Sequence, residues 1–350
     1  MKPLGLHVHL WFGWALALGF GAGAVPAQST YTAGLPGYEP VQVTVDKNAG
    51  YIMRDGAVRI VGPAGMRKVV TALNDYFTKT HPGVRFVYFN SDDSSAISSL
   101  IFDATAFAPL QSPYGGGIGY SDIVQTAPFY IRIAHGSLSR GARVSPFAVV
   151  VNPVNHLERM SLGTLSSIFT MQLRSPVLAA WNQVPGGAGL NAERIDPCGL
   201  PWSDHYASEE LSFGDEVFYR RMGGAPPVND YRMFKTYAEV VQHVAQTPAA
   251  ISIVPLNRVT PGVKVVGLVD GIANTVRTGT AADIGSGQYP LDRSLYLYGR
   301  VKAGKPLDPF VAEYMRMVLS REGQQLIADE GEGYIPLNAF ETQAELLKFQ

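Results

Sequence analysis

The clearest pattern of hydrophobic and polar positions lies between residues 58 and 89. Residues 58–61, Val-Arg-Ile-Val, form a short β-branched run that is typical of a buried strand. Residues 62–65, Gly-Pro-Ala-Gly, reverse the chain, and apolar residues then recur at helical spacing over 66–80. Residues 84–89 begin the next strand. A strand, a helix and a strand in this order favour parallel pairing of the two strands, with the helix start at the carboxyl edge of the sheet.

The turn between this strand and its helix is a candidate anion site. Free N–H groups and the positive end of the helix dipole meet there, and both favour a negatively charged ligand. Gly65 and Met66 are therefore candidate ligand-binding residues. The alternative is an ordinary turn that packs a core helix and binds nothing.

Strands and helices alternate along the rest of the chain, which indicates an α/β protein. Residues 41–45 alternate apolar and polar positions behind a Gly- and Pro-rich start, and they predict an edge strand or hairpin arm. A polar cluster at 90–95 suits a turn and a helix N-cap, and residues 109–121 predict a mobile glycine-rich loop. Further strands are expected at 130–134, 147–151, 251–254, 263–269 and 294–298, and further helices at 96–103, 212–222, 236–245, 309–320 and 322–329.

Composition narrows the class of protein. A chain of 350 residues with 46% hydrophobic residues is able to build two lobes with real cores. The formal net charge is −1 and no block of like charges occurs, which argues against sequence-independent nucleic-acid binding. Cys198 is the only cysteine, so no internal disulfide is expected. Without a placed histidine, its thiol is expected to be buried and unreactive rather than a nucleophile.

The first residues have the layout of a secretory signal peptide. Lys2 supplies a positive start, residues 10–20 an apolar core, and residues 21–27 small residues that end in Val-Pro-Ala. We expect cleavage near Ala27 and a free protein in the periplasm or outside the cell. The apolar run is shorter than the roughly 20 residues that a transmembrane helix needs, and no later segment is expected to span a membrane.

Four motifs follow one another in the last third of the chain. They are 289–298 (YPLDRSLYLY), 304–309 (GKPLDP), 319–325 (LSREGQQ) and 333–337 (GYIPL). In this order they resemble the C-terminal signature of phosphate-type substrate-binding proteins of ABC transporters. Upstream matches at 145–153, at 162–169 with Trp181, and at 240–251 support the resemblance.

This resemblance implies a two-lobed periplasmic-binding-protein fold of type II, with two crossover segments between the lobes. It divides the chain into a signal peptide (1–27), an N-terminal extension (28–57), lobe I (58–146 plus 260–343) and lobe II (147–259). It also implies a monomeric, non-enzymatic protein without a cofactor, which closes its hinge on a small oxyanion and delivers it to a membrane permease. Phosphate is the default ligand by resemblance.

The positions that bind the ligand in the resembled family differ here. The first turn offers Pro63, Ala64 and Gly65 where the family has hydroxyl-bearing residues. The matching positions in the next three loops are Asp93, Ser94 and Ser95, then Gln111, and then Ser212 as the nearest remnant of an Arg-Ser-Gly-Thr motif. Asp93 is a candidate acceptor for the proton of a monohydrogen phosphate. No arginine obviously replaces the family's clamp, although Arg132 and Arg143 lie nearest the expected hinge.

A desolvated phosphate loses about 1.5–3 kcal/mol for each charge-assisted donor that is missing. A second hypothesis is therefore a diverged exported interaction or sensory protein that has lost phosphate binding. The missing hydroxyls in the first turn and the acidic pair Glu209-Glu210 favour it. A third, an exported phosphatase-like enzyme, has no nucleophile or metal set to support it.

Other chemical motifs are weak. Residues 299–305 nearly spell a P-loop, but Pro306 stands where Ser or Thr must bind magnesium. The best metal-like group, Asp196, Cys198, Asp204 and His205, has irregular spacing, which is more typical of a solvated loop. The remaining histidines, His81, His135, His156 and His243, are expected to be ordinary surface or capping residues.

Overall fold

The computed structural model describes residues 34–114, 123–172, 176–186, 189–190, 192–203, 208–210, 212–269, 274–330 and 332–350. The expected signal peptide at 1–27 and most of the expected mobile loop at 109–121 lie outside these ranges. The strands are β1 Val58–Pro63, β2 Phe86–Ser91, β3 Phe107–Leu110, β4 Phe129–Ser137, β5 Phe147–Val151, β6 Arg159–Ser161, β7 Asp196–Gly199, β8 Arg232–Met233, β9 Ala250–Pro255, β10 Lys264–Val269, β11 Val276–Arg277, β12 Ser294–Gly299 and β13 Tyr334–Pro336. The α-helices are α1 Arg67–Thr80, α2 Asp93–Ile101, α3 Leu162–Phe169, α4 Tyr237–Gln246, α5 Ala281–Gly285, α6 Pro309–Val318, α7 Arg321–Glu330 and α8 Ala339–Leu346.

Lobe I is built on the predicted strand–helix–strand unit. Strands β1 and β2 pair in parallel, with Val58 opposite Phe86, which confirms the expected pairing. The N–H of Ala106 donates to the carbonyl of Arg59 at 3.1 Å, which brings β3 alongside β1. Strand β12 then pairs antiparallel with both β3 and β4, and β13 with β4. Lobe I therefore contains a two-stranded sheet, β1-β2, and a four-stranded sheet, β13-β4-β12-β3, with the apolar face of α1 buried in a core shared with α6.

Lobe II contains a separate sheet of seven strands. Its order is β11-β10-β5-β9-β7-β8, with β6 paired to β10. The fully buried rings of Trp181, Phe169 and Phe213 belong to its hydrophobic core. A sheet and a main core for each part of the chain agree with the two-lobed fold expected from the resemblance.

The expected return to lobe I at residue 260 does not agree with the pairing of β10. This strand lies at 264–269, inside the second part of the expected lobe I, yet it pairs antiparallel with β5 through Lys264 opposite Val151. The sequence pattern marks β10 as a strand but contains no signal for its partner. We propose that the second crossing instead lies between Leu291, whose carbonyl accepts from the Phe147 N–H at 2.9 Å, and Ser294 at the start of β12.

The N-terminal segment differs from its prediction. Residues 41–45 form no strand, and the strap formed by residues 38–41 is tied to α6 and α7 instead. Backbone N–H groups that would pair with a neighbouring strand donate to carboxylates: Val41 to Glu313 at 2.9 Å and Tyr38 to Glu322 at 2.7 Å. An alternating pattern indicates an extended segment, but the partner of its backbone depends on residues far along the chain.

Candidate functional site

A cleft of about 1030 Å³ lies between the lobes. The turn after β1, the start of α2 and the end of β3 line it on the lobe I side. The side that faces them from lobe II includes Glu209, Glu210, Ser212 and the start of α4. Asn257, after β9, and Arg293, before β12, complete the lining. Ligands of open α/β sheets bind at such strand ends, so this cleft is the candidate site.

Four of the seven sequence-predicted site residues line the cleft: Asp93, Ser94, Gln111 and Ser212. Gly65 lies immediately behind the wall. A Cβ atom there would push against the amide nitrogen of Gln111 and lie 3.1 Å from Cδ of Arg143, so the turn packs closely against these two side chains.

The other two predicted residues have structural roles. The Met66 side chain is fully buried in the lobe I core. Ser95 is held by the N-cap of α2: its N–H donates to Asp92 Oδ1 at 2.8 Å and its hydroxyl to Asp92 Oδ2 at 3.2 Å. We therefore assign no ligand contact to these two side chains.

Asp93 is turned toward the end of β3. Its carboxylate accepts from the N–H of Gln111 at 3.1 Å, from the N–H of Ser112 at 3.2 Å and from the Ser112 hydroxyl at 3.0 Å. Burial raises the pKa of Asp93, although these three donors and the Arg293 charge oppose the shift. An internal carboxylate thus occupies donors that would otherwise face the cleft.

A second internal carboxylate lies on the opposite wall. Glu210 pairs with Arg293 Nη2 at 2.7 Å through Oε1 and accepts from the Tyr237 hydroxyl at 2.6 Å through Oε2. The Ser212 hydroxyl lies 3.5 Å from Oε1. The lobe II donors therefore converge on Glu210.

Arg293 is the deepest cation of the cleft. Its side chain is 5% exposed and its guanidinium lies 4.9 Å above the centre of the Phe147 ring. Burial lowers the pKa of Arg293, but the carboxylates of Glu210 and Glu216 outweigh it and raise the pKa. Within the part of the chain that the structure describes, Nε and Nη1 of Arg293 have no hydrogen-bond partner.

Sequence reasoning missed Arg293, Tyr237 and Asn257 as cleft residues. Arg293 stands within the motif at 289–298, yet nothing local shows that its side chain turns from the start of β12 toward lobe II. The sequence marks Tyr237 only as part of a helix start. Asn257 lies in the turn directly after β9, where its side-chain amide donates to the carbonyls of Ser139 at 3.0 Å and Ala142 at 2.9 Å.

Of the two arginines expected near the hinge, only Arg143 lines the cleft. Arg143 is exposed, and no carboxylate of the described residues pairs with it. Arg132 pairs instead with Glu341 at 2.6 Å. The free cation at the cleft is thus supplied by lobe I.

The other candidate groups do not form reactive centres. Cys198 is fully buried, and burial raises the pKa of its thiol to about 12, which removes the thiolate needed for nucleophilic attack. In the metal-like group, Asp196 pairs with His243 at 2.7 Å, while Asp204 and His205 lie outside the described residues. No set of three His, Cys, Asp or Glu side chains in the described ranges is arranged to hold a metal ion.

The prediction that His135 is a surface or capping residue is wrong. The imidazole is fully buried between Asp292, at 2.6 Å from Nδ1, and Glu341, at 2.9 Å from Nε2. Burial lowers the pKa of His135, but the two carboxylates outweigh it and raise the pKa to about 9. The two carboxylates belong to sequence positions more than 150 residues away, so the local sequence contains no sign of this pairing.

Comparisons with known proteins agree with the fold. No protein-family model matches the chain. The phosphate-binding protein PstS of Pseudomonas aeruginosa is 23% identical over 322 residues, which cover 91% of this chain and 92% of the relative. Among the described residues, no helix combines the length and the apolar character needed to cross a bilayer.

Two solved structures share the architecture. PstS from Borrelia burgdorferi aligns with a TM-score of 0.56 and 15% identity, covering 81% of this chain and 99% of that one. An ABC-type phosphate transport receptor from Vibrio cholerae aligns with a TM-score of 0.51 and 17% identity, covering 79% and 98%. The names of the Pseudomonas aeruginosa relative and of the Vibrio cholerae receptor describe phosphate binding and phosphate transport. The resemblance found in the sequence is thereby confirmed. The chain has the two-lobed periplasmic-binding-protein fold, and it is similar over nearly its whole length to phosphate-type substrate-binding proteins.

Proposed function

We propose that this chain is an exported solute-binding protein that holds a small oxyanion in the cleft between its lobes, with phosphate as the first ligand to test. The observation that carries the proposal is the meeting of guanidinium groups and hydroxyls from both lobes in one cavity. Binding would proceed by closure of the hinge, without covalent chemistry.

The lobe I wall supplies the donors that remain open to a ligand. Arg143 lies beside the turn after β1 and has no carboxylate partner among the described residues. Ser94 is exposed in the first turn of α2, where the helix dipole favours an anion. An oxyanion between these groups would receive charge-assisted hydrogen bonds, each worth about 1.5–3 kcal/mol.

Similarity supports the remaining parts of the proposal. The relatives are a phosphate-binding protein and a phosphate transport receptor, so a membrane permease is the proposed partner and the periplasm the proposed location. We propose that the protein acts as a monomer.

Calorimetric titration with phosphate and with sulfate tests the proposal. Arg143→Gln should weaken phosphate binding by about tenfold or more, because one charge-assisted contact is lost. Arg140→Gln is the matched control, since it removes the same charge from an exposed position three residues away that does not line the cleft. Equal losses in both variants would mean that net charge, not a contact, controls binding.

A second function, that of an interaction or sensory protein without a solute, is favoured by the internal carboxylates. Asp93 and Glu210 already accept from donors on both walls. A ligand that binds only the native state stabilises it by about 2.7 kcal/mol at a hundredfold excess over Kd. If no oxyanion raises the unfolding temperature of the wild-type protein, oxyanion binding is ruled out and this second function takes its place.

A further inference from the structure

The carboxylate of Glu210 occupies a ready-made anion position inside the cleft. Both of its oxygens are used, one by Arg293 at 2.7 Å and the other by the Tyr237 hydroxyl at 2.6 Å. The Glu210 side chain is only 16% exposed, and that of Arg293 only 5%. A guanidinium and a tyrosine hydroxyl converging on one point would suit the oxygens of a bound solute equally well.

The surrounding loop holds Glu210 in this position. The neighbouring carboxylate of Glu209 accepts from the Tyr237 N–H at 3.0 Å and pairs with Arg258 at 2.7 Å. The carbonyl of Glu210 accepts from the Ser208 hydroxyl at 3.2 Å. The side chain therefore reaches Arg293 from a fixed backbone, and little further ordering is needed to form the pair.

We infer that Glu210 is a specificity-determining residue, an intramolecular anion that competes with the solute for Arg293. The inference rests on the proposed function. A solute anion that takes the position beside Nη2 of Arg293 must displace Glu210, and until then it meets the repulsion of a nearby like charge. The Glu210 carboxylate therefore lowers the affinity of the cleft for phosphate and sulfate below that of the same cleft without this charge.

Glu210→Gln tests this role because it removes the charge and keeps the shape. An amide oxygen still accepts a hydrogen bond from Arg293 or Tyr237, so the loop retains a partner. The matched control is Glu158→Gln, an 80% exposed carboxylate in lobe II that pairs with Lys264 at 3.0 Å, far from the cleft lining. Both variants change the net charge equally, and calorimetric titration with phosphate and sulfate at one ionic strength compares them with wild type.

Glu210→Gln should bind phosphate at least tenfold more tightly than wild type, while Glu158→Gln should stay within twofold. Unchanged or weaker binding in Glu210→Gln, with wild-type binding intact, would overturn the role of Glu210 and leave the proposed function standing. If no protein of the set binds either anion, the proposed function fails and the inference with it.

Glu210→Asp provides a second measurement if the glutamine variant does not fold. It keeps the charge but withdraws the carboxylate from Arg293 by one methylene. Glu210→Asp should bind phosphate more tightly than wild type does. An affinity equal to or below that of wild type counts against the inference.

Discussion

The buried charge cluster around His135 makes stability depend on pH in a defined direction. The imidazole lies between Asp292 and Glu341, and Glu341 also pairs with Arg132. Because the pKa of His135 rises from 6.5 in a free side chain to about 9 in the fold, the folded state binds the proton more tightly than the unfolded chain. The stabilisation is therefore complete below pH 6.5 and is lost as the pH rises through about 9.

The size of the effect follows from the shift. A pKa difference between 6.5 and about 9 corresponds to about 3 kcal/mol, at 1.36 kcal/mol per unit. Urea unfolding at pH values from 6 to 10 should show this loss for wild type. His135→Gln removes the titrating group, so its free energy of unfolding should be lower at pH 6 and should approach that of wild type by pH 10.

His156→Gln is the matched control, because it removes an exposed histidine of the other lobe. Its pH dependence should follow that of wild type. Parallel curves for wild type and His135→Gln between pH 6 and pH 10 would refute the reasoning, since they would show that the buried imidazole binds no extra proton in the folded state.

Three further predictions concern the cleft wall, the N-terminal strap and the lobe II core. Gly65→Ala should weaken phosphate binding about tenfold by calorimetry, because its methyl group displaces the side chains of Gln111 and Arg143. Gly163→Ala on α3 is the control and should bind phosphate as wild type does, because its Cβ would lie 3.6 Å from the nearest atom. Glu313→Gln should lower the free energy of unfolding by about 1–3 kcal/mol and speed amide hydrogen exchange at Val41, because Tyr38 and Val41 both donate to this carboxylate. Unchanged exchange at Val41 would show that Glu313 does not hold the strap in place. Trp181→Phe should lower the free energy of unfolding in urea by about 1–3 kcal/mol, because the buried carbonyl of Ala249 loses its indole donor at 3.1 Å. A decrease below about 0.5 kcal/mol, the lower end for one hydrogen bond, would contradict that account.

Local pattern predicted the elements whose stability comes from neighbours in sequence. Strand β1 and helix α1 lie where the β-branched run and the helical spacing indicated them, because each presents one continuous apolar face to the core. The capping box that starts α4 was also readable, since Thr236 and Glu239 satisfy each other's backbone N–H groups within one turn.

Features that depend on distant partners were not readable in the same way. The strap residue Val41 alternates like a strand residue, yet its N–H donates to a carboxylate 272 positions away. His135 and Arg293 likewise take their character from carboxylates that only the fold brings near. A single sequence identifies the types of residue available for a site, but long-range packing decides which of them are neutralised.

Two features of the ligand site belong together physically. The first turn offers Pro63 and Ala64, which have no side-chain hydroxyl, while Asp93 and Glu210 accept from donors on the two walls. An empty cleft with fewer acceptors would leave the buried Arg293 charge unpaired, at a cost of several kcal/mol. Glu210 removes that cost in the absence of solute, so the cleft is stable when empty. Solute binding then becomes an exchange of one carboxylate for another anion, and its affinity is set by the difference between the two rather than by the number of donors alone.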